Sequence, residues 1–235
     1  MQKIIIFADG ASKGNPGPGG WAAVIVGGEQ VTELGGREEH TTNNRMELRA
    51  AIEGLRGAVV GSQIILYTDS SYVINGITKW VHGWKKNGWQ TKEKKPVVNQ
   101  DLWESLDSAV AGHGRDIEWQ YVGGHVGIAG NERVDAIASD LADGKKVELY
   151  RGARSGYGVD VANLKLDTTK QKAKSASGTR SKAKAYSYVS LVGGKVMTHK
   201  TWAECEARVK GKKARFKKAL SVQDEKEIVA DFSKK

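Results

Sequence analysis

The segment IIIFADGASKGNPGPGG, residues 4–20, joins a short apolar run to a loop rich in glycine, asparagine and proline. The run from Ile4 to Phe7 is β-branched and aromatic, which is typical of a buried strand. Asp9 follows at its end, and Lys13 is the only basic residue nearby in sequence. An unpaired buried carboxylate is costly. Which group meets Asp9 is therefore the first question that this sequence raises.

Predicted strands and helices alternate outward from this segment. The predicted strands cover residues 3–8, 21–26, 30–37, 64–68 and 117–122. Two predicted helices begin at Asn43 and at Asn131. Three further helical segments are predicted over residues 70–76, 80–86 and 99–111. The first helix has an apolar stripe, Leu48, Ile52, Leu55 and Val59, and Thr41 or Thr42 can cap it. We predict an α/β fold with a mixed five-stranded sheet flanked by helices.

The net charge of +10 is concentrated in the C-terminal part of the chain. Residues 1–149 contain 16 Lys and Arg against 19 Asp and Glu, whereas residues 150–235 contain 21 against 8. So basic a segment favours a polyanionic partner such as nucleic acid. The alternative is that the charge only aids solubility.

Composition also divides the chain into parts. Residues 168–185, TTKQKAKSASGTRSKAKA, contain six basic residues and no acidic or large apolar residue, which is typical of a flexible linker. We predict a domain over residues 1–150, an extension and basic flexible linker over residues 151–185, and a small C-terminal α+β domain over residues 186–235. Whether residues 151–167 pack on the first domain through side chains such as Tyr157 and Val161, or are unstructured, is open.

The single cysteine, Cys205, excludes a disulfide within the chain and favours a reducing compartment. The N-terminal apolar run is too short for a secretory signal or a membrane span. We expect a soluble, cytoplasmic monomer with no membrane association and no obligatory protein partner.

Four carboxylates occupy special places in this pattern. Asp9 ends the first predicted strand and Asp69 the fourth, and parallel neighbouring strands would bring both to the sheet edge where sites of α/β proteins form. Glu47 and Asp135 lie beside the apolar stripes of two helices and are followed at helical spacing by small residues, which let a helix approach the sheet. Taken singly, each has an ordinary interpretation as a turn former, a helix cap or a solvated helix residue.

Converging carboxylates without cationic partners repel one another, and divalent cations resolve this repulsion. Mg²⁺ prefers oxygen ligands and needs only a few carboxylates. Two such ions, about 4 Å apart, can hold the attacking water and the leaving oxygen of a phosphodiester. A metal is therefore the expected partner of Asp9.

Four sequence blocks together resemble type 1 ribonuclease H over about residues 1–145: DGASKGNPGPGG, TTNNRMELRAAI, YTDSSYV and GHVGIAGNERVDAIA. The resemblance implies the ribonuclease H-like fold and a catalytic, metal-binding set of Asp9, Glu47, Asp69 and Asp135. It implies two Mg²⁺ ions with substrate, for which Mn²⁺ can substitute. The implied reaction is endonucleolytic hydrolysis of the RNA strand of an RNA–DNA hybrid, leaving 5′-phosphate and 3′-hydroxyl ends.

The resemblance also assigns residues around this set. His125 matches the family's histidine loop and would assist proton transfer or product release. The residues Asn15, Asn43 and Asn44 match positions that read the RNA strand, since an amide can both donate to and accept from a 2′-hydroxyl. Loop and cap chemistry is their alternative.

Residues 80–95, WVHGWKKNGWQTKEKK, resemble the basic protrusion with which one branch of the family grips the DNA strand. Phosphate contacts would come from Lys85, Lys86, Lys92, Lys94 and Lys95. Trp80 would pack on deoxyribose, while Trp84 and Trp89 are expected only to anchor the protrusion.

Residues 186–218 resemble a viroplasmin-like hybrid-binding domain, which would form a three-stranded sheet with two helices. By this resemblance Trp202, Phe216, Lys217 and Lys218 would touch the hybrid. The alternative places Trp202 and Phe216 in the core. The loop from Ser190 to Gly194 lacks the basic residues often present in such domains. Ala219 stands where the domain's pattern has an aromatic residue.

Two other functions remain open at this stage. A different nuclease of the same fold, such as a transposase, integrase or junction resolvase, is disfavoured by Asn43, Asn44 and the N-E-R-V-D block. A hybrid-binding protein without catalysis is disfavoured by the complete carboxylate set.

Overall fold

The computed structural model describes residues 2–114, 117–123, 127–162, 164 and 185–233. The chain divides into two compact units, residues 1–171 and residues 172–235. The strands of the first unit are β1 (Lys3–Ser12), β2 (Gly17–Gly27), β3 (Gln30–Thr41), β4 (Gln63–Thr68), β5 (Ile117–Tyr121) and β6 (Arg151–Ala153). Its α-helices are α1 (Asn43–Arg56), α2 (Ser71–Asn75), α3 (Val81–Lys86), α4 (Gln100–Gly112) and α5 (Ala129–Ala142), with a π-helical turn at Gly76–Trp80 and a 3₁₀ turn at Arg154–Gly156.

The strands form one mixed sheet in the order β5-β4-β1-β2-β3-β6. Strand β1 pairs in parallel with β4, with Phe7 opposite Tyr67, and in antiparallel with β2. Asp9 and Asp69 each lie two residues beyond the Phe7–Tyr67 pair, so they reach the same edge of the sheet. The prediction that these two strands are parallel neighbours is confirmed.

Strand β1 is buried on both faces, which explains its continuous apolar run. Ile4 and Ile6 belong to a core cluster shared with α1 and α4, whereas Phe7 belongs to a second cluster shared with α5. The helix α1 ends at Arg56, so Val59 lies beyond it and is exposed. The predicted stripe was therefore one turn too long. Thr42 precedes the helix, but its side chain makes no capping hydrogen bond.

Residues following α5 pack on the first unit. Strand β6 pairs with β3, placing Arg151 opposite Thr32, and Val161 is buried in the second core cluster. The open question about this segment is thus answered for residues 151–162, which pack on the sheet and the core of the first unit. The sheet has six strands rather than the predicted five, because the three-residue strand RGA is too short and too polar to be recognised from its pattern.

A buried acid connects this segment to the sheet. The Glu33 carboxylate on β3 accepts two hydrogen bonds from the Arg133 guanidinium, at 2.7 and 2.9 Å. It also accepts one from the Tyr157 hydroxyl at 2.6 Å and one from the Tyr150 backbone N–H at 2.9 Å. Four donors therefore compensate one carboxylate whose side chain is fully buried.

The second unit is a small α+β structure, as predicted. Its elements are β7 (Ser187–Val192), β8 (Lys195–His199), α6 (Trp202–Val209), β9 (Ala214–Ala219) and α7 (Val222–Ser233), and the antiparallel sheet has the order β8-β7-β9. Its core contains Val189, Ala219, Ile228 and Phe232. In the described part of the chain, no helix of either unit is both long and apolar enough to span a membrane.

Candidate active site

The four predicted carboxylates converge on one pocket at the sheet edge. Asp9, Glu47, Asp69 and Asp135 all line this pocket, which has a volume of about 320 Å³. Its other lining residues are Gly10, Ala11, Ser12, Lys13, Asn43 and Ser139. Convergence, which spacing alone did not establish, is therefore a property of the folded chain.

Asp9 is the most buried of these acids, with 7% of its surface exposed. It accepts a hydrogen bond of 2.7 Å from the Gly10 N–H. Burial raises the pKa of Asp9 to about 8, and repulsion from Asp69 adds to this effect. Among the described residues no lysine or arginine forms an ion pair with Asp9, since the nearby Lys13 ammonium lies 3.1 Å from Asp143.

Glu47 is held by two neighbours. The Ser70 hydroxyl donates to Glu47 Oε2, and Asn43 Nδ2 donates to Oε1 at 2.8 Å. Burial raises the pKa of Glu47, and these two hydrogen bonds oppose that rise. Glu47 is thus an oriented, largely buried acid and not a solvated helix residue.

Ser70 has a second contact that bears on Asp69. The Ser70 Oγ caps α2 by accepting a hydrogen bond of 3.2 Å from the Val73 N–H. The cap of this helix is therefore Ser70, which leaves Asp69 directed to the carboxylate pocket. Sequence reasoning missed Ser70, although a serine at a predicted helix start is the signal that identifies a cap.

Two glycines let the acid-bearing helices approach the sheet. A Cβ on Gly10 would lie 2.2 Å from the Glu47 backbone nitrogen, and a Cβ on Gly20 would lie 2.3 Å from the Ala138 carbonyl oxygen. Any side chain at either position would push a helix away. The predicted close approach of α1 and α5 to the sheet is confirmed.

The donor set fits a hard divalent cation. All four converging side chains offer carboxylate oxygens, the ligands that Mg²⁺ prefers. Within the described residues, no three acidic, histidine or cysteine groups already form a compact ligand cluster. The raised pKa of Asp9 follows from its burial and from repulsion by the neighbouring acids Asp69, Asp135 and Glu47.

The other predicted site residues surround this pocket. Asn15 Oδ1 accepts a hydrogen bond of 3.3 Å from the Asn43 backbone N–H, which ties the glycine-rich loop to the start of α1. Asn44 is exposed beside them. His125 lies outside the described residues.

The predicted protrusion combines packed aromatics with exposed lysines. Trp84 and Trp89 pack against the first core cluster, as expected of anchors, while Trp80 is 38% exposed. Exposed lysines are Lys85, Lys86, Lys92, Lys94 and Lys95. Lys85 differs from the rest because its ammonium lies 2.5 Å from the largely buried Asp107 carboxylate.

In the second unit, Trp202 and Phe216 are surface residues. Trp202 is 39% exposed and Phe216 is 52% exposed, so the alternative that they form the core is wrong. The Trp202 ring contacts Phe216 and Tyr188, with centroid distances of 5.3 and 5.6 Å. Lys217 follows on the same strand and is exposed, and Lys218 is partly buried.

The mixed sheet, the helices on its two faces and the acidic edge define the class of ribonuclease H-like α/β proteins. The crystal structure of LC9-RNase H1, a type 1 ribonuclease H with the type 2 active-site motif, is 32% identical to this chain. It has a TM-score of 0.57 over 65% of this chain and 78% of its own.

Sequence comparisons identify the family. The ribonuclease H family model matches residues 1–143. The ribonuclease H of Erythrobacter litoralis is 57% identical over 61% of this chain and 98% of its own length, and that of Alcanivorax borkumensis is 53% identical over 62% and 95%. The chain belongs to the ribonuclease H family, and its first unit is a ribonuclease H enzyme.

Proposed function

We propose that the first unit hydrolyses the RNA strand of RNA–DNA hybrids with two Mg²⁺ ions, leaving 5′-phosphate and 3′-hydroxyl ends. The observation that carries this proposal is Asp9, a buried carboxylate with a strongly raised pKa that faces three further acids in one pocket. Bound divalent cations would neutralise these acids, activate a water and stabilise the leaving oxygen. Mn²⁺, which also accepts oxygen ligands, should substitute.

In this proposal each acid has a distinct part. Asp9 would serve both ions, Glu47 and Asp69 one of them, and Asp135 the other. Ser70 and Asn43 hold the Glu47 carboxylate in place, so its oxygens do not need to be ordered when substrate arrives. His125 would accept or relay a proton and assist product release.

Strand choice would come from groups beside the acids. The amides of Asn15, Asn43 and Asn44 can recognise a 2′-hydroxyl, which only the RNA strand has. The protrusion lysines would contact phosphates of the DNA strand without regard to sequence. Because Lys85 already pairs with Asp107, we expect it to contribute less than the exposed Lys86.

The test compares three duplexes of one sequence: an RNA–DNA hybrid, double-stranded RNA and double-stranded DNA. Each is incubated with the full chain in Mg²⁺, in Mn²⁺ and in EDTA, and the product ends are determined. We expect cleavage of the hybrid alone, in both metals, and products with 5′-phosphate ends. We expect the Asp9→Asn variant to be folded but inactive. Cutting in EDTA, or full activity of Asp9→Asn, would overturn the two-metal proposal.

For the second unit we propose viroplasmin-like binding of the hybrid. Support comes from the ring contacts of Trp202 with the exposed Phe216 and the partly exposed Tyr188. Lys218, opposite Tyr188 and two residues after Phe216, lies on the same face of the sheet. Aromatic faces can stack on sugars or bases while ammonium groups meet phosphates. Ala219 is fully buried in the core of this unit, so its small size suits packing there and not contact with substrate.

A further inference from the structure

The carboxylate pocket has a cation on its rim that the catalytic set does not include. Among the described residues that line the pocket, Lys13 alone carries a positive charge. Its side chain is 46% exposed, and its backbone N–H donates to the Pro18 carbonyl at 2.7 Å. The Lys13 backbone is therefore held in the glycine-rich loop, while its ammonium can reach solvent.

The partner of Lys13 is weakly bound and replaceable. Asp143 lies directly after α5, and its carboxylate is 3.1 Å from the Lys13 ammonium with 39% of its side chain exposed. Ion pairs as exposed as this one contribute little to stability. A phosphate that enters the pocket offers the ammonium a second anion at little cost.

A polyanionic substrate extends beyond the phosphate that metal ions held by the four acids would bind. Among the described lining residues, Lys13 alone offers a side-chain positive charge to a neighbouring phosphate. Lys13 is also two residues from Asn15, which would read the RNA strand. We propose that Lys13 is a substrate-binding residue that leaves Asp143 to contact a phosphate of the RNA strand next to the cleaved one, an inference that rests on the proposed function.

The competing explanation is purely structural. A carboxylate at the C-terminal end of a helix is disfavoured by the helix dipole, and Lys13 would then only offset Asp143. Lys145 provides a matched control, because its ammonium lies 2.6 Å from Asp140 at the same end of α5 and is outside the pocket lining.

The experiment compares the full-length wild type with Lys13→Ala, Lys13→Arg, Lys145→Ala and Asp143→Asn. Cleavage of the hybrid is measured in Mg²⁺ from 50 to 200 mM salt. The salt exponent is the slope of log(kcat/KM) against the logarithm of the salt concentration, and one phosphate contact changes it by about 0.9. From 50 to 200 mM the wild type should therefore lose about 3.5-fold more in kcat/KM than Lys13→Ala, with kcat nearly unchanged. Lys13→Arg, Lys145→Ala and Asp143→Asn should keep the wild-type salt exponent.

Substrates with a single neutral methylphosphonate locate the contact. A methylphosphonate at one linkage of the RNA strand beside the cut should lower kcat/KM for the wild type and leave that of Lys13→Ala unchanged. The same substitution in the DNA strand should lower kcat/KM equally for both proteins. If Lys13→Ala behaves like Lys145→Ala, or if its sensitivity maps to the DNA strand, this inference is wrong. A wild type that cuts no hybrid would instead refute the proposed function itself.

Discussion

At the scale of single residues, the raised pKa of Asp9 makes stability depend on pH. Its pKa is about 8 in the folded chain and near 3.8 without the surrounding structure, so between these values the folded state holds a proton that the unfolded state lacks. The free energy of unfolding contributed by Asp9 therefore falls as the pH rises from about 4 to about 8. The buried Asp9 carboxylate thus destabilises the metal-free fold at neutral pH.

Asp9→Asn should therefore stabilise the metal-free protein at pH 8 while abolishing cleavage. Since one pKa unit corresponds to about 1.4 kcal/mol, we expect a gain of at least about 1 kcal/mol at pH 8 and little change at pH 4. Urea unfolding in EDTA across this range measures the effect. Glu93→Gln, which removes an exposed acid, is the control. Parallel pH dependences for wild type and Asp9→Asn would contradict the assigned cause.

At the scale of elements, Glu33 joins three parts of the first unit. Its carboxylate on β3 bonds to Arg133 on α5 and to Tyr157 in the segment after β6. The hydrogen bonds lower the pKa of Glu33 against the effect of burial. The sign of the pH dependence is therefore opposite to that of Asp9. The contribution of Glu33 to stability is present above its unfolded-state pKa of about 4.5 and is lost as the pH falls through its lower folded-state pKa.

Tyr157→Phe should cost about 1.5–3 kcal/mol, because it removes one hydrogen bond to a buried charge. Tyr150→Phe is the matched control, since its hydroxyl donates to the exposed Ala153 carbonyl and should cost about 1 kcal/mol or less. Thermal or urea unfolding of both variants at pH 7 tests the difference. Equal losses would mean that the buried carboxylate does not depend on Tyr157.

At the scale of the whole molecule, the proposed catalytic acids and the surplus of basic residues lie in different parts of the chain. The four acids lie before residue 136, whereas residues 150–235 carry 21 Lys and Arg against 8 Asp and Glu. A second binding unit on the same chain raises the effective concentration of substrate at the first. The second unit should therefore change affinity and not the chemical step.

A chain that ends at Gln171 should keep the kcat of the full chain on hybrids, with a KM that rises most at low salt. Trp202→Ala combined with Lys218→Ala, whose lysine lies on the same face of the sheet as Phe216, should reproduce part of this rise in the full chain. Tyr186→Ala is the control, because Tyr186 is exposed in the same unit but makes none of the ring contacts found among Tyr188, Trp202 and Phe216. Binding and cleavage across a salt series provide the measurement. Equal affinity of long and short chains at every salt concentration would refute hybrid binding by the second unit.

Much of this arrangement was already present in the sequence, where the information is local. The apolar run before Asp9 predicts a buried strand, and the spacing of Leu48, Ile52 and Leu55 predicts the helix that carries Glu47. These patterns predict helices and strands because buried residues recur along each element with the repeat of its own backbone. The family blocks then identify the acids, which the fold brings into one pocket.

Only the tertiary structure decided the contacts between residues that are distant in the chain. Glu33 and Tyr157 are 124 positions apart and Ser70 and Glu47 are 23 apart, and no period relates either pair. The docking of the segment after α5 depends on such contacts, because its three-residue strand has too little pattern of its own. The same holds for the Lys13–Asp143 pair. Long-range polar pairing is set by how elements pack against each other, which local periodicity does not encode.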